Sequence, residues 1–190
     1  MKRLLLILIL TMSLQSWTKA DDISDFEIEG MSIGDSVLGF HTEKSLKQDT
    51  QYFYSDKKWG TAGIYNSDEY DRIQFTYNTN NNSYKIHGLA GVLTFHNNID
   101  GCKQKMKKIV NEVESIFGNN VNKQTGSSKR SHDKSGKSIM YYNDFEFRDK
   151  SAINIYCTDW SKEMTDQNDW RDELKVSLYS VEFSIFLLNN

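Results

Sequence analysis

Proline is absent from the 190-residue chain, and only two cysteines, Cys102 and Cys157, are present. Without proline there is no polyproline spacer, no collagen-like segment and no Pro-rich linker. Past residue 20 no apolar run approaches the ~20 residues that cross a bilayer, so no stable membrane anchor is expected there. The four histidines, His41, His87, His96 and His132, are scattered and show neither H-E-x-x-H nor a Cys–His ligand spacing. No metal and no cofactor is therefore expected. What the chain does have is 13% aromatic and 38% hydrophobic residues, which excludes an intrinsically disordered polymer. At ~100–200 residues per domain, one domain is the default.

The first twenty residues read as an address. Met1-Lys2-Arg3 is a short basic stretch, and residues 4–14 are apolar apart from Thr11 and Ser13. Thr18-Lys19-Ala20 places small residues at −3 and −1 of a cut before Asp21, the layout of a secretory signal peptide. The apolar run of about eleven residues is too short for a membrane span. Cleavage removes Lys2, Arg3 and Lys19 and no acid, leaving 20 basic and 26 acidic residues and a net charge of −6. Such a chain is no general polyanion binder, so no nucleic acid is expected as partner. The mature protein, residues 21–190, is expected to be exported, periplasmic or secreted. In an oxidising compartment Cys102 and Cys157 read as one disulfide. It closes a loop of roughly 55 residues, worth about 3–4 kcal/mol by chain entropy.

Along the chain, residues 21–31 alternate acids with Ile23, Phe26 and Ile28, as a short strand or extended arm laid on the core does. Asp35 reads as the N-cap of a helix reaching about Gln48. Aromatic and β-branched runs at 52–54, 59–65, 72–77 and 84–95 predict strands, with Asn80-Asn81-Asn82 at a hairpin tip because Asn tolerates left-handed backbone. Cys102, Met106, Ile109, Val110, Val113, Ile116 and Phe117 fall on one helical face, predicting a helix over 99–117 with Asp100 as cap and Gly118 as stop. Residues 119–137 carry almost no apolar side chains and predict a loop. Two strands follow at 139–147 and 152–157, turning near Arg148-Asp149-Lys150, then a long acidic loop over 159–173 and a strand over 174–179. Residues 180–188 suit a short helix or a strand. Bunched strands indicate an α+β fold, a mostly antiparallel sheet packed against one long amphipathic helix with one or two shorter helices. Because each half runs helix then strands, two tandem subdomains are the alternative to a single domain over 21–190.

Several stretches of the chain resemble motifs that carry chemistry. Ser135-Gly136-Lys137-Ser138 resembles the end of a phosphate-binding loop, but position 131, which that motif requires to be glycine, is Ser131. His132-Asp133-Lys134-Ser135 supplies a histidine, a carboxylate and a hydroxyl, yet triads are defined by geometry and not by adjacency. Read as a calcium loop, Asp166 and Asn168 lead to Trp170 at the fifth position and no glycine at the sixth. His87, within a strand, reads as an ordinary hydrogen-bonded histidine. Lys103, Lys105, Lys107 and Lys108 crowd one side of the long helix, and Lys129, Arg130, His132, Lys134 and Lys137 make a basic zone on an acidic protein, as an anion or partner contact does. Trp160 and Trp170 bracket the acidic loop, either as buried anchors or as a contact surface.

Residues 22–36, together with Asn97-Asn98-Ile99-Asp100-Gly101-Cys102, Asp133-Lys134-Ser135-Gly136-Lys137-Ser138 and Cys157-Thr158-Asp159-Trp160-Ser161, resemble a group of small exported proteins of marine bacteria with AT-rich genomes. The few alanines and many Asn, Lys and Ile residues fit that coding bias. The resemblance implies export and carries no activity, cofactor or catalytic residue with it. Gly30-Met31-Ser32-Ile33-Gly34-Asp35 is also similar to small periplasmic helix-plus-sheet modules that bind other proteins.

No catalytic set survives these comparisons. The expected function is a non-enzymatic exported protein that binds a protein or an anionic ligand. The alternative is an envelope hydrolase, with His132, Asp133 or Asp159 as acid–base groups clustered in one cleft.

Overall fold

A computed structural model describes residues 22–55, 57–65 and 67–189. The expected signal peptide, residues 1–20, lies outside the described residues. Seven strands form one sheet: β1 (Trp59–Tyr65), β2 (Arg72–Asn78), β3 (Ile86–Thr94), β4 (Val121–Lys129), β5 (Ile139–Phe147), β6 (Ala152–Asp159) and β7 (Glu173–Tyr179). Their spatial order is β1-β2-β3-β7-β6-β5-β4, with every neighbouring pair antiparallel. Among the described residues four α-helices accompany them: α1 (Glu43–Asp49), α2 (Ile99–Phe117), α3 (Lys162–Asn168) and α4 (Val181–Leu188). The fold is α+β, with a wholly antiparallel sheet. Among the described residues no helix is long and apolar enough to cross a membrane.

Side chains alternate across a strand, so the register divides the sheet into two faces. On one face Ile73, Phe75, Phe145, Ile153, Ile155, Leu174, Val176 and Leu178 are buried. The long helix α2 lies over this face, against β6 and β7, and contributes Cys102, Val110, Val113 and Phe117. Each fully buried side chain of this size stabilises the fold by about 1.5–3 kcal/mol. Cys102 and Cys157 are both buried and disulfide-bonded, with an S–S distance of 1.99 Å and Cα atoms 6.0 Å apart, tying α2 to β6. Gly118 ends α2 at φ 56°, a left-handed conformation that its missing Cβ permits.

The opposite face is polar at its centre. Arg72, Val92, Lys175, Tyr156, Tyr142 and Gly126 stand side by side across six strands. At one end α4 covers this face through Phe183, whose ring packs 4.9 Å from that of Trp59. Glycine at position 88 leaves room for that ring, because a Cβ there would sit 3.0 Å from Phe183. His87 is half-buried beside this cluster, its Nδ1 3.0 Å from Ser180 Oγ, as an ordinary hydrogen-bonded histidine.

Several expectations are corrected. Residues 121–129 are not loop but edge strand β4: both of its faces are largely exposed, so no apolar alternation announces it, and pairing with β5 forms it instead. Residues 159–173 are not all loop, since Ser161 Oγ accepts from Met164 N and starts α3. Asp35 caps no helix. Its carbonyl accepts from Ile86 N while Gly34, at φ 96°, donates to Ile86 O, so this segment runs beside β3. In place of one helix stand a 3-10 turn over Val37–Gly39, capped by Ser36, and α1, capped by Thr42. Residues 52–54 form no strand; Gln51 bridges Thr61, and Tyr52 and Phe53 are exposed. Asn98, not Asp100, caps α2, its Oδ1 accepting from Gly101 N at 2.9 Å. Ile116 is exposed at the end of its face. In the β2–β3 connection the left-handed residue is Tyr84, while Asn78 and Asn81 accept backbone hydrogen bonds from Asn80 and Ser83. Residues 22–31 form a 3-10 turn and a tight bridge of Ile28 to Met31, and bury Ile23, Ile28 and Met31 on the core.

Candidate functional site

A cleft of about 570 Å³ opens on the polar face at the end away from α4. Its floor is sheet: Arg72 of β2, Val92 and Thr94 of β3 and Glu173 of β7. Its walls are two loops. One follows β4 and supplies Arg130 and His132; the other, which carries α3, supplies Trp160, Asp169, Trp170 and Arg171. Tyr65 and Asp71 close the third side.

Both loops are pinned by polar groups that the sequence leaves looking like chemistry. Asp133 turns inward and is buried. Its carboxylate accepts from Ser135 N at 2.8 Å, Ser138 N at 2.9 Å and Ser138 Oγ at 2.6 Å. The Ser138 and Ser135 hydrogen bonds outweigh the opposing effect of burial and hold this carboxyl far below the usual range. Ser138 Oγ in turn accepts from Ser161 N at 2.9 Å, which joins the first loop to the second. Within the second loop, Trp160 N donates to Asp172 Oδ1 at 3.0 Å, and Thr165 Oγ1 donates to the Trp170 carbonyl at 2.8 Å. Burial raises the Asp172 carboxyl against that Trp160 hydrogen bond, with Asp159 acting in the same upward direction.

The two indoles meet with centroids 4.5 Å apart and planes inclined at 52°. His132 stands edge-on to Trp170 at 6.4 Å. The Arg130 guanidinium lies 5.3 Å from the Trp160 ring centre, a cation–π contact. Arginine carries five N–H donors. For Arg130 the acceptor the protein provides is the Met140 sulfur, 3.2 Å from Nη1, and its buried Nε has no partner. Among the described residues no carboxylate lies within ion-pair distance of Arg130, whereas Arg72 is 3.8 Å from Glu173 and Arg171 pairs with Asp169. The buried Nε of Arg72 likewise has no partner. Burial raises the Glu173 carboxyl and lowers the Lys175 ammonium, with the charges of Lys175, Arg72 and Arg130 partly offsetting the first and Glu173 the second. Burial also pushes the Tyr156 hydroxyl up.

The basic zone expected from the sequence is split by this geometry. Arg130 and His132 line the cleft; Lys129, Lys134 and Lys137 are exposed on the same connection and do not line it. Of the acid–base candidates only His132 reaches the cleft, since Asp133 is committed to the turn and Asp159 is not among the lining residues. Trp160 and Trp170 are half-buried, serving as loop anchor and cleft wall together. Sequence reasoning missed Arg72, Arg171, Tyr65 and Glu173, which come from separate segments. The one available signal was a strand register that places Arg72 diagonally beside Glu173 across β3. Among the described residues no group of His, Cys, Asp and Glu is arranged to hold a metal ion. Compared with protein-family models, with curated proteins and with solved structures, the chain matches none.

Proposed function

We propose that the protein is an exported, non-enzymatic binding protein whose arginine–tryptophan cleft takes an anionic ligand. Arg130 carries this reading. Among the described residues this half-buried guanidinium is held against an indole, bonds a thioether and has no carboxylate within ion-pair distance, which leaves its fork open to an anion. Charge-assisted bonds from such a fork to a carboxylate, sulfate or phosphate are short and directional. Arg72 and Arg171 flank the same space, so an incoming anion meets more than one cation. Export is supported by the leader pattern and by the Cys102–Cys157 disulfide. Its resemblance to small exported proteins of marine bacteria agrees with that location.

The test is thermal unfolding in inorganic sulfate and phosphate, compared with chloride at equal ionic strength. Saturable stabilisation that vanishes in Arg130→Gln is the expected result. Equal stabilisation of Arg130→Gln by these anions would show that they act elsewhere on the surface and would sink the reading.

A further inference from the structure

We infer that the ligand is an acidic saccharide, a sugar carrying a carboxylate or a sulfate; this rests on the anion-binding reading above. The first observation is the mixed lining. Beside Arg72, Arg130 and Arg171 the cleft presents Asp71, Asp169 and Glu173. A compact polyanion would meet these carboxylates as like charges. A ligand with one anionic group among many hydroxyls uses both sets, the arginines for its acid and the carboxylates as acceptors for its O–H groups. Asp71 fits that use: Oδ2 accepts from Thr94 N at 2.7 Å, which fixes the group and leaves Oδ1 for a ligand.

The aromatic walls make the second observation. Trp160 and Trp170 form a corner, inclined at 52° with centroids 4.5 Å apart, and not a parallel slot. A flat base or aromatic acid has no sandwich site between such rings. A puckered pyranose ring has an apolar C–H side that rests against one indole face while its hydroxyl rim points to the polar floor, and electron-rich ring faces attract such C–H groups. Tyr65, 67% exposed at the cleft edge, offers a further ring face beyond the first sugar. A volume of about 570 Å³ is in the range of small-molecule sites and suits a short oligosaccharide.

The experiment titrates the purified protein, followed by tryptophan fluorescence and calorimetry, with short oligogalacturonates, a sulfated disaccharide, their neutral counterparts, inorganic sulfate and adenosine monophosphate. The two acidic saccharides separate a carboxylate source from a sulfate source. At least one is expected to bind about tenfold more tightly than inorganic sulfate and than its neutral counterpart. Trp170→Leu, which keeps an apolar contact to Trp160 without a ring face, should remove that preference and leave sulfate affinity within about twofold. Arg130→Gln should weaken both ligands, and Lys105→Ala, on the helix of the opposite face, neither. If sulfate binds as tightly as the acidic sugars, or adenosine monophosphate more tightly, the saccharide inference is overturned while anion binding stands. Equal affinity for the neutral sugars, or no binding by any titrant at millimolar concentration, overturns the anion-binding reading and this inference with it.

Discussion

Asp133 looks catalytic on paper because it sits beside a histidine and near a serine, yet three hydrogen bonds tie its carboxylate to its own turn. Ser138 completes the node from a fully buried position, donating to Asp133 and accepting from Ser161 N. Ser138→Ala leaves the buried Ser161 N without its acceptor and takes one of three hydrogen bonds from Asp133, and is expected to cost about 1–3 kcal/mol in denaturant unfolding. The Asp133 carboxyl titrates below its ordinary value of 3.8 in the folded state, so its stabilisation is present above that value and is lost as the pH falls through the lowered one. Asp133→Asn should therefore be less stable at neutral pH and show a shallower loss on acidification, read from unfolding midpoints across the acid range. Glu173 has the opposite sign. Burial lifts its pKa, so as the pH drops from neutral it loses its charge earlier than an exposed carboxylate and frees Arg72. Glu173→Gln fixes the neutral form. It is expected to bind sulfate severalfold more tightly at neutral pH and to lack the part of the rise on acidification that Glu173 supplies.

Elements differed in how plainly the sequence announced them. The helix α2 was legible because Cys102, Ile109, Val110, Val113 and Phe117 recur at helical spacing and all five are buried. The strands β2, β3, β5, β6 and β7 were legible because one or both of their faces pack. β4 was not, since Val121 is the one apolar residue of nine and its partner β5 decides the conformation. Propensity without burial is a weak signal. The short helix α3 was hidden for a related reason: Met164 is its one buried side chain, and the Ser161 cap does the rest. At the other end of the polar face α4 was ambiguous because nearly every residue of VEFSIFLL is apolar, which erases the period that separates helix from strand. The packing resolves it. Phe183 contacts Trp59, Tyr54 and Tyr179 and is buried. Phe183→Ala is expected to destabilise the protein by about 3–5 kcal/mol and to raise amide exchange first in 181–188, where the helix loses its anchor.

For the whole molecule, the disulfide and the cleft show the two limits of reading a chain in one dimension. Two cysteines in an expected oxidising compartment leave a single intramolecular pairing, and it forms. Removing it as Cys102→Ala/Cys157→Ala is expected to lower stability by about 3–4 kcal/mol, from the denatured-state freedom that a loop of 55 residues regains. A reductant should do the same to the wild type and nothing to the double variant. The cleft could not be read in this way. Its residues come from β1, the β1–β2 connection, β2, β3, the loop after β4, the α3 loop and β7, and only the sheet order brings them together. The basic cluster visible along residues 129–137 held two of the lining residues and three bystanders.

The sheet order also sets a timetable. Among the described residues β7, the last strand in sequence, lies between β3 and β6 and joins the β1–β3 meander to the β4–β6 meander. A nascent chain that has produced six strands holds two patches of sheet, each with an open inner edge, and no strand made by then pairs with both. Closure waits on pairings between residues as far apart as Gly88 and Tyr179, contacts that form slowly because the intervening chain must be ordered first. Under the proposed export, such a delay would keep the chain open while it is threaded through a membrane.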